Sequence, residues 1–546
     1  MLIAAWKTWL GAASQITARR LPEGIGVNAL NLRPGFGDLR GWNAPSTVVT
    51  TGGATPLISA YRMDRTVISD VNYWLQWTTD VDVVPSLVPT DSTEEIFYTG
   101  DGAPKRTDNV LALPPAPGPA ASRPLGVAKP TAAMSAAVAV AGSGPSEVRV
   151  YVDTFVTNQG RESAPGTSAG LTCLGGSTAN LTLLDPPPGG YPDITLRRIY
   201  CSTDGGDFLR CVEQAAALTT AVDSGTRGAI LQSGGDDNKP AWLEPPNSLK
   251  GLIELWNGMV GGFFGKARAV CVPFKPWAWP VDAGYQEAVH YEIVGTGKWL
   301  QNWLLLTVGA PILVTGSSPE SLNSQPLPVN WACRSKRSIC SMGHGVAWAS
   351  QNGLAYVGQK GRAILTEGIL SPEQWQAMAP ETMIGTMVEG YYAGFYNDGA
   401  LKGFLIDPLN PTWIIHLPQG ARGVYYDKLA DRLYLQDVGN TIKRWAGGAA
   451  AAVTFKTGIA RHPYLTNPAY AMLVADEPVS VGVTLWANIQ QANGTFVWTQ
   501  VFTGTVTAGV PFSLPAGYLA SEYQAQLVTV GPAQALLLAE DAKDLL

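Results

Sequence analysis

The sequence is poor in charge, in histidine and in recognisable catalytic motifs. Only 15% of its 546 residues are Asp, Glu, Lys or Arg, and the formal net charge is −6. Tight binding of nucleic acid without sequence preference needs a basic face, which this composition does not supply. The four histidines, His290, His344, His416 and His462, show no metal-ligand spacing. We find no P-loop, nucleophile elbow or H-E-x-x-H motif, so we expect no catalytic residue, no metal and no cofactor.

Cysteine is scarce as well, and no C-x-x-C pair is present. The six cysteines are Cys173, Cys201, Cys211, Cys271, Cys333 and Cys340. This density is too low for a disulfide scaffold, and we expect buried free thiols in a reducing compartment.

Long apolar runs are missing, and we expect no membrane-spanning segment. The start, MLIAAWKTWLGAAS, lacks the charged region that opens a signal peptide. We interpret it as a short helix or as a segment that packs on a neighbour. Synthesis in the cytoplasm is the corresponding expectation.

Glycine, proline and tryptophan are abundant, with 60, 40 and 18 residues. Frequent turn residues combined with many aromatics favour short strands and tight turns over long helices. The length predicts two to four domains. We predict a mainly β chain with an N-terminal β-rich region that contributes strands to the core (1–111), a Pro/Ala-rich connector (112–146), a fibronectin-III-like β-sandwich (147–227), paired short strands (228–445) and a C-terminal β-rich unit (446–546). From the residues alone, 228–445 could form β-propeller blades or a large sandwich.

Two local signals predict individual elements. Asp204 and Gly205 can supply the positive φ angles of a tight hairpin. The same stretch, STDGGD, also matches the opening of the Asp box of sialidase propellers, but it occurs once, and we interpret it as a turn. Ser371, Pro372 and Glu373 predict a short helix, with an N-cap, a proline at the first position and an acid in the first turn.

Two clusters have both a structural and a functional interpretation. The run PFKPWAWP, which contains Trp277 and Trp279, is either a rigid loop that caps a core or a sugar-binding platform. We favour the loop, because no carboxylate or amide separates the aromatics. An acidic stretch lacks the spacing of a calcium loop and is expected to be a solvated face. Its members are Asp80, Asp82, Glu94, Glu95 and Asp101.

An ordered series of short phrases runs through most of the chain. It comprises WTTDVDVV (77–84), FYTGDG (97–102), GRESAP (160–165), RIY (198–200), EPP (244–246), LKGL (249–252), NGM (257–259), PFKPWAWP (273–280), CRSKRS (333–338), GVAWAS (345–350), NGL (352–354), LT (365–366), YY (391–392), FKT (455–457) and LA (538–539). In this order, from about Asp80 to Leu546, the chain resembles the β-propeller tail nozzle proteins of short-tailed bacteriophages, also called tail tubular or tail hub proteins. The first 60 residues match no part of that family.

The resemblance implies both a fold and a function. The fold would be a β-propeller core over 228–445 with an inserted fibronectin-III-like module. The function would be structural and not enzymatic: a homohexameric ring below the tail adaptor, in the virion tail, that continues the genome-ejection channel and carries fibres or spikes. Genomic DNA would pass without specific binding, in agreement with the mildly acidic composition. The alternative is a host-receptor or glycan-binding tail protein using Trp277 and Trp279, and a glycan-degrading propeller enzyme ranks last.

One dense basic cluster remains, made of Arg334, Lys336 and Arg337. We interpret it as a solvated or interface-paired loop in preference to a DNA contact.

Overall fold

The computed structural model describes residues 1–51, 56–63, 73–87, 91–115, 118–228 and 242–545. The chain is mainly β and divides into two units. The first unit comprises Met1–Ala60 and Trp331–Leu546, and the second holds the described residues from Tyr61 to Asn330. Among the described residues, no helix is long and apolar enough to cross a membrane.

The recurring element is a sheet of four short antiparallel strands, here called a meander because successive strands pair with one another. The second unit contains meander I (Asp82–Pro85, Ile96–Thr99, Lys105–Thr107, Arg123–Pro124), meander II (Lys250–Glu254, Val260–Phe264, Ala267–Val270, Gln286–Ala288) and meander III (Ile293–Trp299, Asn302–Thr307, Ile312–Thr315, Asn323–Pro326). Such sheets are the blades from which propellers are built.

Three further meanders lie in the first unit. They are meander IV (Cys340–Ser341, Gly345–Ala349, Leu354–Gly358, Gly361–Ile364), meander V (Ile384–Val388, Tyr391–Asn397, Leu401–Ile406, Ile414–Leu417) and meander VI (Gly423–Asp427, Arg432–Gln436, Thr441–Arg444, Ser46–Thr50). Meander V is not a separate sheet but one end of a 12-stranded sheet, in which Ile414–Leu417 also pairs with Asn28–Leu30. The last strand of meander VI comes from the N-terminal region, since Ser46–Thr50 pairs antiparallel with Thr441–Arg444. Residues from the two ends of the unit's sequence therefore share one sheet.

The central strands of the meanders are buried on both faces. Trp303, Leu304, Leu305 and Leu306 follow one another in meander III and are all fully buried. Such a run has no alternation of polar and apolar residues, because both faces of the strand are covered. Tight turns connect the strands: Glu389 (φ 46°) and Gly390 (φ 86°) join two strands of meander V in the conformation that a type I′ turn requires.

A seven-stranded sandwich is inserted between meanders I and II. One sheet contains Ser135–Val140, Thr178–Thr182 and Ala221–Asp223, and the other contains Ala169–Leu174, Ser146–Thr157, Ile194–Thr203 and Leu209–Ala215. Asp204 (φ 49°) and Gly205 (φ 78°) make the predicted hairpin turn. The predicted class, a mainly β chain of blade-like sheets with an inserted sandwich, is confirmed.

The interval 112–146 is not a plain connector. It supplies the last strand of meander I, Arg123–Pro124, and the first strand of the sandwich, Ser135–Val140. The sequence of the second strand, SAAVAV, is rich in alanine, which has low β propensity, so the signal for a strand was weak.

The two ends of the chain meet in one sheet. Leu2–Trp6 is a strand, where the sequence predicted a short helix or a packing segment, and it pairs antiparallel with Ala535–Ala539. Tyr470–Val474 and Phe512–Ser513 complete that sheet. The C-terminal region also contains Val453–Lys456, Ala460–Thr466, Ser480–Gln490, Phe496–Thr507 and Ala520–Thr529, and short strands occur at Gly11–Ala12, Ile25–Gly26, Asn28–Leu30, Ser59–Arg62 and Trp74–Trp77.

The described helices are short. Ser371 caps the α-helix Pro372–Ala377 by accepting a hydrogen bond from the backbone N–H of Gln374, which confirms the predicted helix. The 3-10 helices are Pro319–Ser321, Lys336–Ser338, Pro380–Thr382 and Ala542–Leu545.

Candidate assembly surfaces and binding sites

A buried cluster of arginines and carboxylates joins the sandwich to meander I. We call Glu95, Arg106, Arg161 and Asp193 the ion-pair cluster. Arg106 Nη1 donates to Glu95 Oε1 at 3.2 Å, and its Nη2 donates to Asp193. Arg161 Nη2 donates to the second oxygen of Glu95. The exposed fractions of these side chains lie between 3% and 7%.

These four residues carry two positive and two negative charges, and Arg123, whose side chain is 23% exposed, adds a third positive charge 3.6 Å from Asp193. Glu95 and Arg106 belong to meander I, whereas Arg161 and Asp193 belong to the sandwich. Burial lowers the pKa of Arg106, and the charge of Arg161 lowers it further. Removing one member would break buried charge-assisted hydrogen bonds, each worth about 1.5–3 kcal/mol. The cluster therefore fixes the position of the sandwich relative to meander I.

The acidic stretch is only partly a solvated face, since the side chain of Asp101 is 42% exposed and Asp80, Asp82 and Glu94 are half-buried. Glu95 is 3% exposed and belongs to the ion-pair cluster. Asp82 accepts a hydrogen bond from the backbone N–H of Gly251 at 2.9 Å, and Asp101 pairs with Lys105 at 2.8 Å. The partners of Asp82 and Glu95 come from distant parts of the chain, which sequence spacing does not reveal, whereas Asp101 and Lys105 are only four residues apart. No group of three or more metal-ligating side chains occurs in the described residues.

The aromatic loop is a cap of the core. Trp279 is fully buried, and its Nε1 donates to the carbonyl oxygen of Pro276 at 2.7 Å. Trp277 is partly buried, with the guanidinium of Arg161 placed 5.2 Å from its ring centroid. Phe274 is the exposed aromatic of the loop, at 49%. A sugar platform made of both indoles is therefore wrong, because Trp279 has no accessible face.

The basic cluster forms a turn whose polar groups are used inside the first unit. Arg337 Nη2 donates to the carbonyl oxygens of Ile58 and Arg422, at 2.9 and 2.6 Å. Ser335 Oγ donates to the carbonyl oxygen of Met383 at 2.7 Å. Arg334 is exposed, and Lys336 is half-buried. The prediction of a solvated or interface-paired loop is thus wrong for Arg337, whose guanidinium holds neighbouring chain segments together.

The six cysteines and His344 make structural contacts. All six cysteines are free thiols, and five of them are buried. Burial raises the pKa of Cys271 and Cys340 to about 12. His344 Nδ1 lies 2.8 Å from the hydroxyl oxygen of Tyr356, and burial lowers the pKa of this histidine. None of these groups is arranged as an activated nucleophile with its base.

The strand Phe496–Thr507 is an open sheet edge. It pairs with Ser480–Gln490 on one side, and within the described residues no strand covers its other side. Its sequence, FVWTQVFTGTVT, contains no charge and no proline, and Phe496 and Val497 are both 48% exposed. Natural proteins usually block such edges with charges, prolines or bulges, since unpaired backbone groups recruit further strands. This strand has neither charge nor proline, and a single bulge at Val501 interrupts its pairing. The sequence predicts a β-rich unit over 446–546 but contains no signal for the position of this strand at the edge of a sheet.

Comparison with known proteins does not identify a family. No family model matches the chain, and no curated protein matches it. Similar solved structures include the glutaminyl cyclase of Myxococcus xanthus (13% identity, 36% of this chain and 89% of the other, TM-score 0.22), the Pan2 WD40 domain of Neurospora crassa (7%, 49% and 82%, TM-score 0.26) and AztD of Citrobacter koseri (11%, 70% and 98%, TM-score 0.25). These TM-scores are below those of chains that share an overall fold.

Proposed function

We propose that the protein is a structural subunit of the tail nozzle of a short-tailed bacteriophage. It forms a homohexameric ring below the tail adaptor, continues the channel for genome ejection and supports fibres or spikes. The protein resides in the virion tail after assembly in the host cytoplasm. It has no enzymatic activity and no cofactor in this role.

The observation that carries the proposal is the sandwich inserted between meanders I and II. The phrases GRESAP and RIY, which resemble the module inserted in the nozzle family, lie in this sandwich at residues 160–165 and 198–200. The buried ion-pair cluster joins the sandwich to meander I. The sandwich thus stands where the resemblance expects an inserted module, which supports the proposal.

The electrostatics also support a conduit. The net charge is −6, and the guanidinium of Arg337, in the densest basic stretch, is bound to carbonyl oxygens. A channel through which DNA slides should not hold phosphate groups, because each neutralised phosphate strengthens binding. The uncharged edge at Phe496–Thr507 is a surface on which copies can associate.

The test is the oligomeric state of the purified full-length chain, measured by native mass spectrometry and negative-stain microscopy, together with labelling of intact virions by an antibody against the chain. We expect six-membered rings and a label at the end of the tail. A chain that stays monomeric at micromolar concentration and is absent from virions would contradict the proposal.

The alternative, a host-receptor or glycan-binding tail protein, loses its candidate site at the aromatic loop because Trp279 is buried.

A further inference from the structure

A cleft of about 460 Å³ lies between the outer strands of meanders II and III. Its walls are mostly apolar and include Ala288, Ile312 and Pro326. The polar groups of Glu287 and His290 and the ring of Tyr291 also line it. Apolar walls with a few convergent polar groups are typical of small-molecule sites, whose volumes range from roughly 300 to 1,000 Å³.

Arg268 and Ser324 hold the carboxylate of Glu287 in place. Arg268 Nε donates to Glu287 Oε2 at 2.9 Å, and Ser324 Oγ donates to the same oxygen at 2.5 Å. Arg268 is only 1% exposed, and its Nη1 also donates to the carbonyl oxygen of Gly284 at 3.0 Å. Glu287 Oε1 accepts no hydrogen bond within the described part of the chain. The result is an oriented carboxylate with one oxygen available to a ligand.

Tyr291 presents an aromatic surface whose position is also determined by its neighbours. A Cβ atom at residue 309 would lie 2.9 Å from the Tyr291 ring, so the backbone of Gly309 packs directly on that ring. The ring of His290 stands against Tyr291 in an edge contact, with centroids 4.5 Å apart and an interplanar angle of 82°. Tyr291 nevertheless remains 41% exposed.

We infer that this cleft binds a neutral saccharide, with a sugar ring on Tyr291 and its hydroxyl groups on Glu287 and His290. An aromatic face suits the C–H surface of a sugar ring, and carboxylate and imidazole groups accept or donate hydrogen bonds to hydroxyls. The charge of Glu287 is compensated by Arg268, so the site attracts a cation weakly while its free oxygen still makes a charge-assisted hydrogen bond. This inference goes beyond the nozzle proposal and does not depend on ring formation.

Saturation-transfer NMR of the full-length chain measures the binding of four probes: methyl α-D-glucopyranoside, methyl β-D-galactopyranoside, N-acetyl-D-glucosamine and L-rhamnose. We expect at least one probe to bind at millimolar concentration. Tyr291→Ala and His290→Ala should each weaken that binding about tenfold or more, which corresponds to 1.4 kcal/mol. Gly309→Ala should also weaken it, because the added methyl group displaces the ring.

Tyr464→Ala is the matched control, since Tyr464 is 71% exposed and lies in the other unit. It should leave binding unchanged, and thermal melts should show that all variants are folded. The inference is overturned if no probe binds, or if binding survives both Tyr291→Ala and His290→Ala. It is also overturned if butylamine, used as a cationic probe, binds in a Tyr291-dependent way and the sugars do not. Each result is independent of the oligomeric state, so it separates this inference from the nozzle proposal.

Discussion

Arg161 of the inserted sandwich donates a hydrogen bond to Glu95 of meander I, and both side chains are almost completely buried. Glu95 also accepts a hydrogen bond from a second arginine, Arg106, through its other carboxylate oxygen. An acid shared by two arginines from different parts of the chain makes the position of the sandwich depend on a small number of buried charges. A substitution in the ion-pair cluster should therefore lower stability more than a substitution in an exposed ion pair.

Arg161→Met should reduce the free energy of unfolding by about 1.5–3 kcal/mol, because Glu95 loses one of its two charge-assisted hydrogen bonds while Arg106 still pairs with it. Urea unfolding followed by tryptophan fluorescence measures the effect. Lys402→Met is the control, since it removes an exposed pair with Asp398 and should change stability by no more than about 1 kcal/mol. Equal effects of the two substitutions would show that the ion-pair cluster does not hold the sandwich.

Trp279→Ala should cost about 3–5 kcal/mol of stability, because the indole is fully buried and its removal leaves a cavity. Phe274→Ala, five residues earlier in the same loop, should have a much smaller effect because that ring is 49% exposed. Differential scanning calorimetry compares the two. If Trp279→Ala were as stable as the unaltered chain, the interpretation of the loop as a core cap would be wrong.

Asp153 should make the sandwich less stable as the pH rises from 4 to 7. Burial raises its pKa to about 6 from the ordinary value of 3.8, although Arg197 acts in the opposite direction. The folded state therefore binds this proton more tightly than the unfolded state does. The stabilising contribution is complete below about pH 3.8 and is lost as the pH passes through about 6.

The measurement is the free energy of unfolding of the unaltered chain relative to Asp153→Asn at several pH values. Because the side chain in the unfolded chain is already more than half ionised at pH 4, the relative loss from pH 4 to pH 7 should reach about 2.4 kcal/mol, at 1.4 kcal/mol per pH unit. Asp398→Asn is the control with the opposite sign, since the hydrogen bond from Lys402 lowers the pKa of Asp398. A flat difference for Asp153 would contradict the prediction.

The thiols of Cys271 and Cys340 should resist alkylation in the folded protein. Burial raises the pKa of each to about 12, so the reactive thiolate is roughly a thousandfold rarer at neutral pH than for a free cysteine. Iodoacetamide labelling read by peptide mass spectrometry measures the rates. Labelling in guanidinium should be complete, and comparable rates in both states would show that the thiols are accessible.

Charges on the open edge should reduce self-association. The double variant Val497→Lys and Thr499→Lys places two positive charges on the strand Phe496–Thr507, which repel a second strand. Mass photometry should then show a smaller share of oligomers. Leu429→Lys, at a 75% exposed position outside this strand, is the control. If both variants assemble like the unaltered chain, the edge takes no part in association.

The elements that could be predicted from the sequence are those set by residues close to one another along the chain. The helix capped by Ser371 and the hairpin at Asp204 and Gly205 both follow from side chains and φ preferences within a few positions. The strand at Leu2–Trp6 was not recognised as one, because its partner, Ala535–Ala539, stands at the other end of the chain. A short apolar segment does not show whether it will form a helix or join a sheet.

The same distinction between local and distant residues applies to the candidate sites. The sequence by itself determined the mainly β class, the inserted sandwich and the tight turns, because alternation, aromatic content and turn residues act locally. Only the tertiary structure decided that Glu95 is buried between two arginines, that Trp279 is inaccessible and that Glu287 and Tyr291 line one cleft. Burial and charge pairing are set by residues brought together from distant strands, and no pattern along the chain contains that information.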